Sequence, residues 1–194
     1  MCARRKVGRV GAVPYHRPMP HLIRLATEAD AEAMAEIYAP VVRDTAISFE
    51  MVPPDAAAFR AKIRDILRLA PFLVREDGGR MTGYAYATSF RARPAYRFSV
   101  ETSVYVRDSE RGRGVGRSLY EELLARLVRQ GFRRAIAGIT QPNAASVALH
   151  EGLGFTYVGV FRAVGFKFGR WHDVAFWERE LAPLVDAPPE TTPI

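Results

Sequence analysis

Val100-Glu101-Thr102-Ser103-Val104-Tyr105-Val106, followed after four residues by Arg111-Gly112-Arg113-Gly114-Val115-Gly116, decides how this chain folds. Val100, Thr102, Val104 and Val106 alternate with Glu101, Ser103 and Tyr105, which predicts a strand over 98–106 with one apolar face. Past the glycines, Val115, Leu119, Leu123 and Leu127 fall on one stripe and predict a helix from about Gly114 to Gln130, closed by Gly131. Strand, glycine-rich bend and helix in succession form a phosphate cradle. Glycines let amides approach a ligand closely, and the helix N-terminus adds positive partial charge. Spacing narrows the ligand. A dinucleotide fingerprint starting at Gly112 would need a glycine where Arg117 stands, and a Walker loop ending at Gly116 would need glycine and lysine where Arg111 and Arg117 stand. What remains is Arg-x-x-Gly-x-Gly.

The flanking elements alternate in type. Leu22–Leu25 reads as a short strand, and Thr27 with Asp30 opens a helix carrying Met34, Ile37, Tyr38 and Val41. Pro53 and Pro54 are expected to start a second helix with Phe59, Ile63, Ile66 and Leu67 on one face. Strands 72–75 and 81–90 flank Asp77-Gly78-Gly79, a hairpin signal. A strand over 134–140, a helix over 143–153 closed by Gly154, and strands over 155–164 and 174–181 around a loop complete the reading. Strand–helix–strand order in the second half implies one parallel pair in an otherwise antiparallel sheet. The expected class is mixed α/β, with six to seven strands and about four helices.

Length and composition agree with one domain. The chain has 194 residues, 48% of them apolar and 25% charged, enough to bury a core and too few consecutive apolar residues for a membrane helix. The single cysteine, Cys2, forbids an internal disulfide and suits a reducing cytoplasm. His16, His21, His150 and His172 lack partners at ligand spacing, so no metal is expected. The net charge of +7 would suit nucleic-acid binding, but five of the 28 basic residues and none of the 21 acidic ones lie in residues 1–20. Residues 21–194 carry only +2. The expected organisation is a loose basic extension over 1–20, a domain over 21–183 and a short tail over 184–194, with Met19 a possible alternative start.

The motifs resemble those of the GNAT superfamily of N-acetyltransferases, and within it the phosphinothricin N-acetyltransferase type. Arg111-x-x-Gly114-x-Gly116 after Val104-Tyr105-Val106 is similar to the superfamily's acetyl-CoA motif. Asn143 and His150-Glu151-Gly152-Leu153-Gly154-Phe155 are similar to its last helix and following strand. Arg93-x-x-Tyr96, Ser99 to Val106, and Gly165-Phe166-Lys167-x-Gly169-x-Trp171-His172-Asp173 carry the subfamily likeness, which spans about Leu22 to Leu181.

This resemblance implies a splayed parallel strand pair with the pantetheine arm of acetyl-CoA in the gap. Backbone groups of Val104, Tyr105 and Val106 would hold that arm. Amides from Arg111, Gly112, Arg113, Gly114, Val115 and Gly116 would hold the diphosphate, with Ser118 an extra donor and Arg113 and Arg117 reaching outer phosphates or simply facing water. Glu101 would be the general base; the residues alone equally allow an outward carboxylate paired to an arginine. His150, where most of the superfamily has tyrosine, could give the departing thiolate a proton or share base duty. Asn143 could cap its helix, bind the pantetheine amide, or both.

Arg91, Arg93 and Tyr96 would clamp a small anionic amino acid or analogue of the phosphinothricin, methionine sulfone or methionine sulfoximine kind, with Phe49 and Phe90 as walls or core. The segment 171–173 is expected near the acceptor and a homodimer interface. Two alternatives stay open at this point: another small amine as acceptor, or a non-catalytic acyl-CoA sensor.

Overall fold

The computed structural model describes residues 21–194. Residues 1–20, with the basic cluster, Cys2, His16 and Met19, lie outside the described residues. Seven strands and four α-helices follow one another as β1 (His21–Leu25), α1 (Ala31–Asp44), α2 (Ala56–Leu67), β2 (Phe72–Asp77), β3 (Arg80–Ser89), β4 (Ser99–Val106), α3 (Val115–Gln130), β5 (Arg134–Thr140), α4 (Ala144–Glu151), β6 (Thr156–Lys167) and β7 (Arg170–Glu180). They form one sheet in the order β1-β2-β3-β4-β5-β7-β6. Only β4 and β5 pair in parallel, as the strand–helix–strand pattern implied. Among the described residues no helix is long and apolar enough to cross a membrane.

Local chemistry sets the boundaries. Gly78 and Gly79 take φ of +60° and +79° and turn β2 into β3 with Asp77 opposite Arg80. The Asp30 carboxylate accepts the Thr27 N–H at 2.7 Å and its hydroxyl at 3.1 Å. That makes a short 3-10 turn, Glu28–Asp30, before α1. The second helix starts later than its prolines suggested: Asp55 is the cap, its carboxylate accepting the Ala58 N–H at 2.8 Å, and Pro53 and Pro54 precede it.

The larger correction concerns the C-terminal hairpin. No loop separates two short strands there; β6 and β7 run as one ladder to a two-residue turn at Phe168-Gly169, so Trp171, His172 and Asp173 lie on a strand. Gly159 and Gly165 interrupted the alternation in sequence, and register shifts at Tyr157/Gly159 and Phe161/Gly165 absorb them in space.

Two cores flank the sheet. Leu119, Leu123 and Leu127 of α3 are fully buried against Val100, Ala135 and Ala137, each leucine contributing on the order of 2 kcal/mol of transfer free energy. On the opposite face, α1 and α2 cover Phe72, Tyr84 and Tyr86. Beyond β7, the chain returns to the foot of α3, where the Thr192 N–H donates to the Gln130 carbonyl and Arg97 pairs with Glu190.

Candidate active site

The parallel ladder between β4 and β5 holds only three positions, Ser99 with Arg134, Val100 with Ala135 and Glu101 with Ile136. Both strands continue past that point, β4 to Val106 and β5 to Thr140, and the sheet opens between them. A cavity of about 70 Å³ sits in the opening, with Thr102 to Tyr105 on one wall, Ala137 to Thr140 on the other, and Tyr120 and His150 beside them. A groove of about 490 Å³ shares Val104, Tyr105, Asn143 and Ser146 with that cavity and runs out over Gly112, Gly114, Gly116, Arg117 and Leu149.

Gly112 and Gly114 have φ of +73° and +79°, left-handed values that bend the chain into the N-terminus of α3. The first-turn amides of α3 have no intrahelical acceptor. A Cβ on Gly116 would stand 3.3 Å from Leu149 Cδ2 and 3.6 Å from Val106 Cγ2, so a side chain there would be crowded. An amide-lined bend without side chains, leading into a slot between unpaired strands, suits a diphosphate joined to a thin pantetheine arm.

Glu101 lies at the last position where β4 pairs with β5, on the sheet face opposite Val100 and Thr102. Gly138 of β5 lies beside it: a Cβ there would be 3.5 Å from Glu101 Oε1, an ordinary contact, and 3.2 Å from the Phe176 ring. Burial pushes the Glu101 pKa above the ordinary carboxylate value, and the Arg91 guanidinium partly opposes that.

His150 is 3% exposed. Its Nδ1 lies 2.7 Å from the Ser146 carbonyl, which can only accept, so Nδ1 carries the proton. Nε2, 3.0 Å from the Tyr120 hydroxyl, is then its acceptor in the neutral ring. Burial lowers the His150 pKa and favours that neutral form. Tyr120 Oη is also 3.3 Å from Thr102 Oγ1, whose hydroxyl reaches the Ile136 carbonyl at 3.3 Å. The chain of polar groups ends where the strands part.

Residues 23–176 match the family model described as an acetyltransferase (GNAT) domain. The chain belongs to the GNAT acetyltransferases. It is 44% identical over 161 residues to a phosphinothricin N-acetyltransferase of Alcaligenes faecalis, covering 82% of each chain. It is 40% identical to an L-methionine sulfoximine/L-methionine sulfone acetyltransferase of Salmonella typhimurium, over 82% of this chain and 94% of the other. A GNAT superfamily phosphinothricin acetyltransferase from Sinorhizobium meliloti, crystallised with acetyl-CoA, superposes with a TM-score of 0.82 at 38% identity, covering 88% of this chain and 96% of that one.

In this GNAT chain the residues expected to bind coenzyme divide. Val104, Tyr105, Val106, Arg111, Gly112, Gly114, Val115, Gly116, Arg117 and Asn143 line the groove. Asn143 also caps α4, its Oδ1 accepting the Ser146 N–H at 3.1 Å. Three contributions differ from expectation. The Arg111 amide is already donated to the Asp108 carbonyl at 3.3 Å, and its guanidinium pairs with the Asp108 carboxylate at 3.2 Å, although the residue borders the groove. Ser118 lies outside it, its hydroxyl donating to the Val115 carbonyl and accepting from Arg75. Arg113 points to Glu110 at 2.8 Å rather than inward.

The acceptor residues divide as well. A cavity of about 560 Å³ on the Glu101 face of the sheet is lined by Phe90, Arg91, Tyr96, Arg134, Phe176 and Glu178, among others. Arg93 is exposed and does not line it; its carbonyl accepts the Tyr96 N–H. Phe49 lies elsewhere, its ring over Gly165 and beside His172. Tyr120, Thr102, Ser146 and Ile47 stand at the gap without having been singled out in the sequence. Tyr120 follows Leu119 on the apolar stripe of α3 and reads there as core. No motif marks Ile47.

Proposed function

We propose that this GNAT enzyme transfers the acetyl group of acetyl-CoA to the α-amine of a small anionic amino acid or amino-acid analogue, of the phosphinothricin, methionine sulfoximine or methionine sulfone kind. The observation that carries the reading is the position of Glu101. It sits at the last β4–β5 pair, beside Thr102 and Gly138 of the strand-opening cavity and within the field of Arg91, which lines the larger cavity on the same sheet face. An acceptor held by its carboxylate on Arg91 presents its ammonium toward Glu101, which takes the proton. The freed amine then attacks the thioester carbonyl in a ternary complex, the C–S bond breaks as the C–N bond forms, and the sulfur leaves as thiolate. As the amide forms, the nitrogen sheds its second proton and the thiolate gains one; the Tyr120 hydroxyl, hydrogen-bonded to His150 Nε2 beside the strand opening, relays that proton without being left ionised. Acetyl-CoA supplies the activated acyl group, and amides of Gly112 to Arg117 would hold its phosphates; the Arg117 guanidinium borders the groove but is engaged with the Gly152 carbonyl and Glu121.

The test is an amine panel with acetyl-CoA, read as free thiol release. Amino-acid analogues bearing a second anionic or strongly polar group should be the preferred acceptors; activity confined to polyamines, aminoglycosides or protein lysines would overturn the assignment. In the same assay Arg91→Ala should raise the acceptor KM by about 10-fold or more, since it removes a charge-assisted contact. Tyr120→Phe should lower kcat by about 10-fold while leaving acetyl-CoA affinity intact.

The working unit is proposed to be a cytoplasmic homodimer. The support is a set of exposed apolar side chains on the C-terminal hairpin, Val158, Phe161, Val164, Phe166 and Trp171, each more than half exposed, of which Val158 and Phe161 also border the acceptor cavity. Analytical ultracentrifugation should find a species of twice the 21.7 kDa chain mass; a monomer at all accessible concentrations would remove the proposal.

A further inference from the structure

Lys167 is the least expected buried residue of the molecule. It ends β6 and is only 2% exposed, although a lysine so placed must lose most of its hydration. Its ammonium donates to the Val42 carbonyl and to the Ser48 carbonyl, each at 2.7 Å. Val42 lies in the last turn of α1, whose unpaired carbonyls carry negative partial charge and suit a cation. Ser48 lies in the segment that follows, and its hydroxyl is 2.6 Å from Tyr38 Oη. One side chain from the tip of the β6–β7 hairpin thus ties the end of α1 to the loop after it.

Neighbouring features serve the same join. Phe168 holds φ of +52°, a backbone state uncommon for a bulky residue, and its ring lies 5.0 Å from the Lys167 ammonium. Gly165, two residues before Lys167, leaves the space that the Phe49 ring fills; a methyl there would overlap it. His172, across the ladder from Gly165, packs beside Phe49 and is hydrogen-bonded to the Lys167 carbonyl through Nε2 at 3.0 Å. The loop so held carries Ile47, which lines both the cavity at the strand opening and the coenzyme groove.

We propose that Lys167 is a positioning residue of this acetyltransferase: its ammonium clasps the end of α1 and the loop after it so that Ile47, anchored through Phe49 seated on Gly165, forms a fixed wall over the gap where acetyl group and acceptor meet. This rests on the acceptor reading above. The ammonium does not reach the reacting atoms; it replaces water on two carbonyls and so ties the loop after α1, which has no helix or strand of its own, to the helix end. Without it the wall loses its register, and the acceptor loses orientation more than the coenzyme, whose phosphates bind at the other end of the groove.

The test compares wild type, Lys167→Met, Lys167→Arg and Gly165→Ala. Wild type is first run on the acceptor panel; failure there overturns the acceptor reading itself. With an active acceptor in hand, Lys167→Met should raise acceptor KM and lower kcat, together reducing kcat/KM by about 30-fold, while the acetyl-CoA dissociation constant stays within about 3-fold. Lys167→Arg, which keeps the cation, should recover part of the loss. Gly165→Ala pushes only the movable Phe49 ring and leaves Lys167 in place, so it should raise acceptor KM with little change in Tm. A Lys167→Met protein with lower Tm but wild-type acceptor constants would reduce Lys167 to a structural strut and overturn the proposal. Should that variant not fold, unchanged acceptor constants in Gly165→Ala would overturn it alone.

Discussion

Glu101→Gln should lose turnover by about 100-fold or more while binding acetyl-CoA as the wild type does. Glutamine keeps the size and one hydrogen-bonding oxygen but cannot take a proton, so the variant removes base catalysis and little else. Burial raises the Glu101 pKa, with Arg91 opposing. The carboxylate is the active form, so the acid limb of kcat/KM for wild type should lie above the range of an ordinary glutamate, toward neutrality, and should disappear in the variant. Replacing Arg91 removes the opposing charge and should move that limb further upward.

Stability should respond in the opposite sense. A carboxyl whose pKa is higher folded than unfolded binds more protons in the native state. Its contribution favours folding below the unfolded pKa and is lost as pH rises through the folded pKa. Above that window Glu101→Gln should therefore be somewhat more stable than wild type, by thermal unfolding at neutral pH. An active site that tolerates a half-buried charge for its chemistry would show this trade. Loss of turnover together with loss of stability would point to a structural carboxylate instead.

Legibility in the sequence followed the range of the interaction that fixes each element. The alternation of Val100 to Val106, the Leu119–Leu123–Leu127 stripe and the Gly78-Gly79 turn are set by neighbours within a few residues, and they read correctly. The cradle glycines were legible for the same reason, since positive φ at Gly112 and Gly114 is a local demand. The β6–β7 ladder was not, because its bulges are stabilised across the hairpin rather than along it. Site residues show the same division. Asn143 and His150 were singled out through the family resemblance and both border the strand opening, whereas Tyr120 reaches it through a contact with a residue thirty positions away. Ser118 looked free in sequence, but Arg75 on β2 takes its hydroxyl. Which arginine faces the acceptor cavity depends on the path of the turn at 94–96, so Arg93 could not be told from Arg91 before that path was known.

Gly116→Val should weaken acetyl-CoA binding by about 100-fold, close to 2.7 kcal/mol, and leave the fold in place. Gly116 is the second residue of α3 and borders the groove where Val104, Val106 and Leu149 come nearest to it. Even a bare Cβ meets Leu149 at 3.3 Å, and the two further methyls of valine would crowd Leu149, Val106 and Val104, all of which border the groove. They would stand between the amide bend and the strand opening, on the path that joins diphosphate to thioester. Alanine at the same position separates this obstruction from any effect on the helix. It raises intrinsic helix propensity by up to about 1 kcal/mol, so Gly116→Ala should hold or raise Tm while coenzyme affinity falls by an intermediate amount. Calorimetric titration with acetyl-CoA, alongside thermal unfolding, reads both. Affinities ordered glycine, alanine, valine without a matching order in Tm would locate the pantetheine path over Gly116; valine bound as tightly as glycine would place the coenzyme elsewhere.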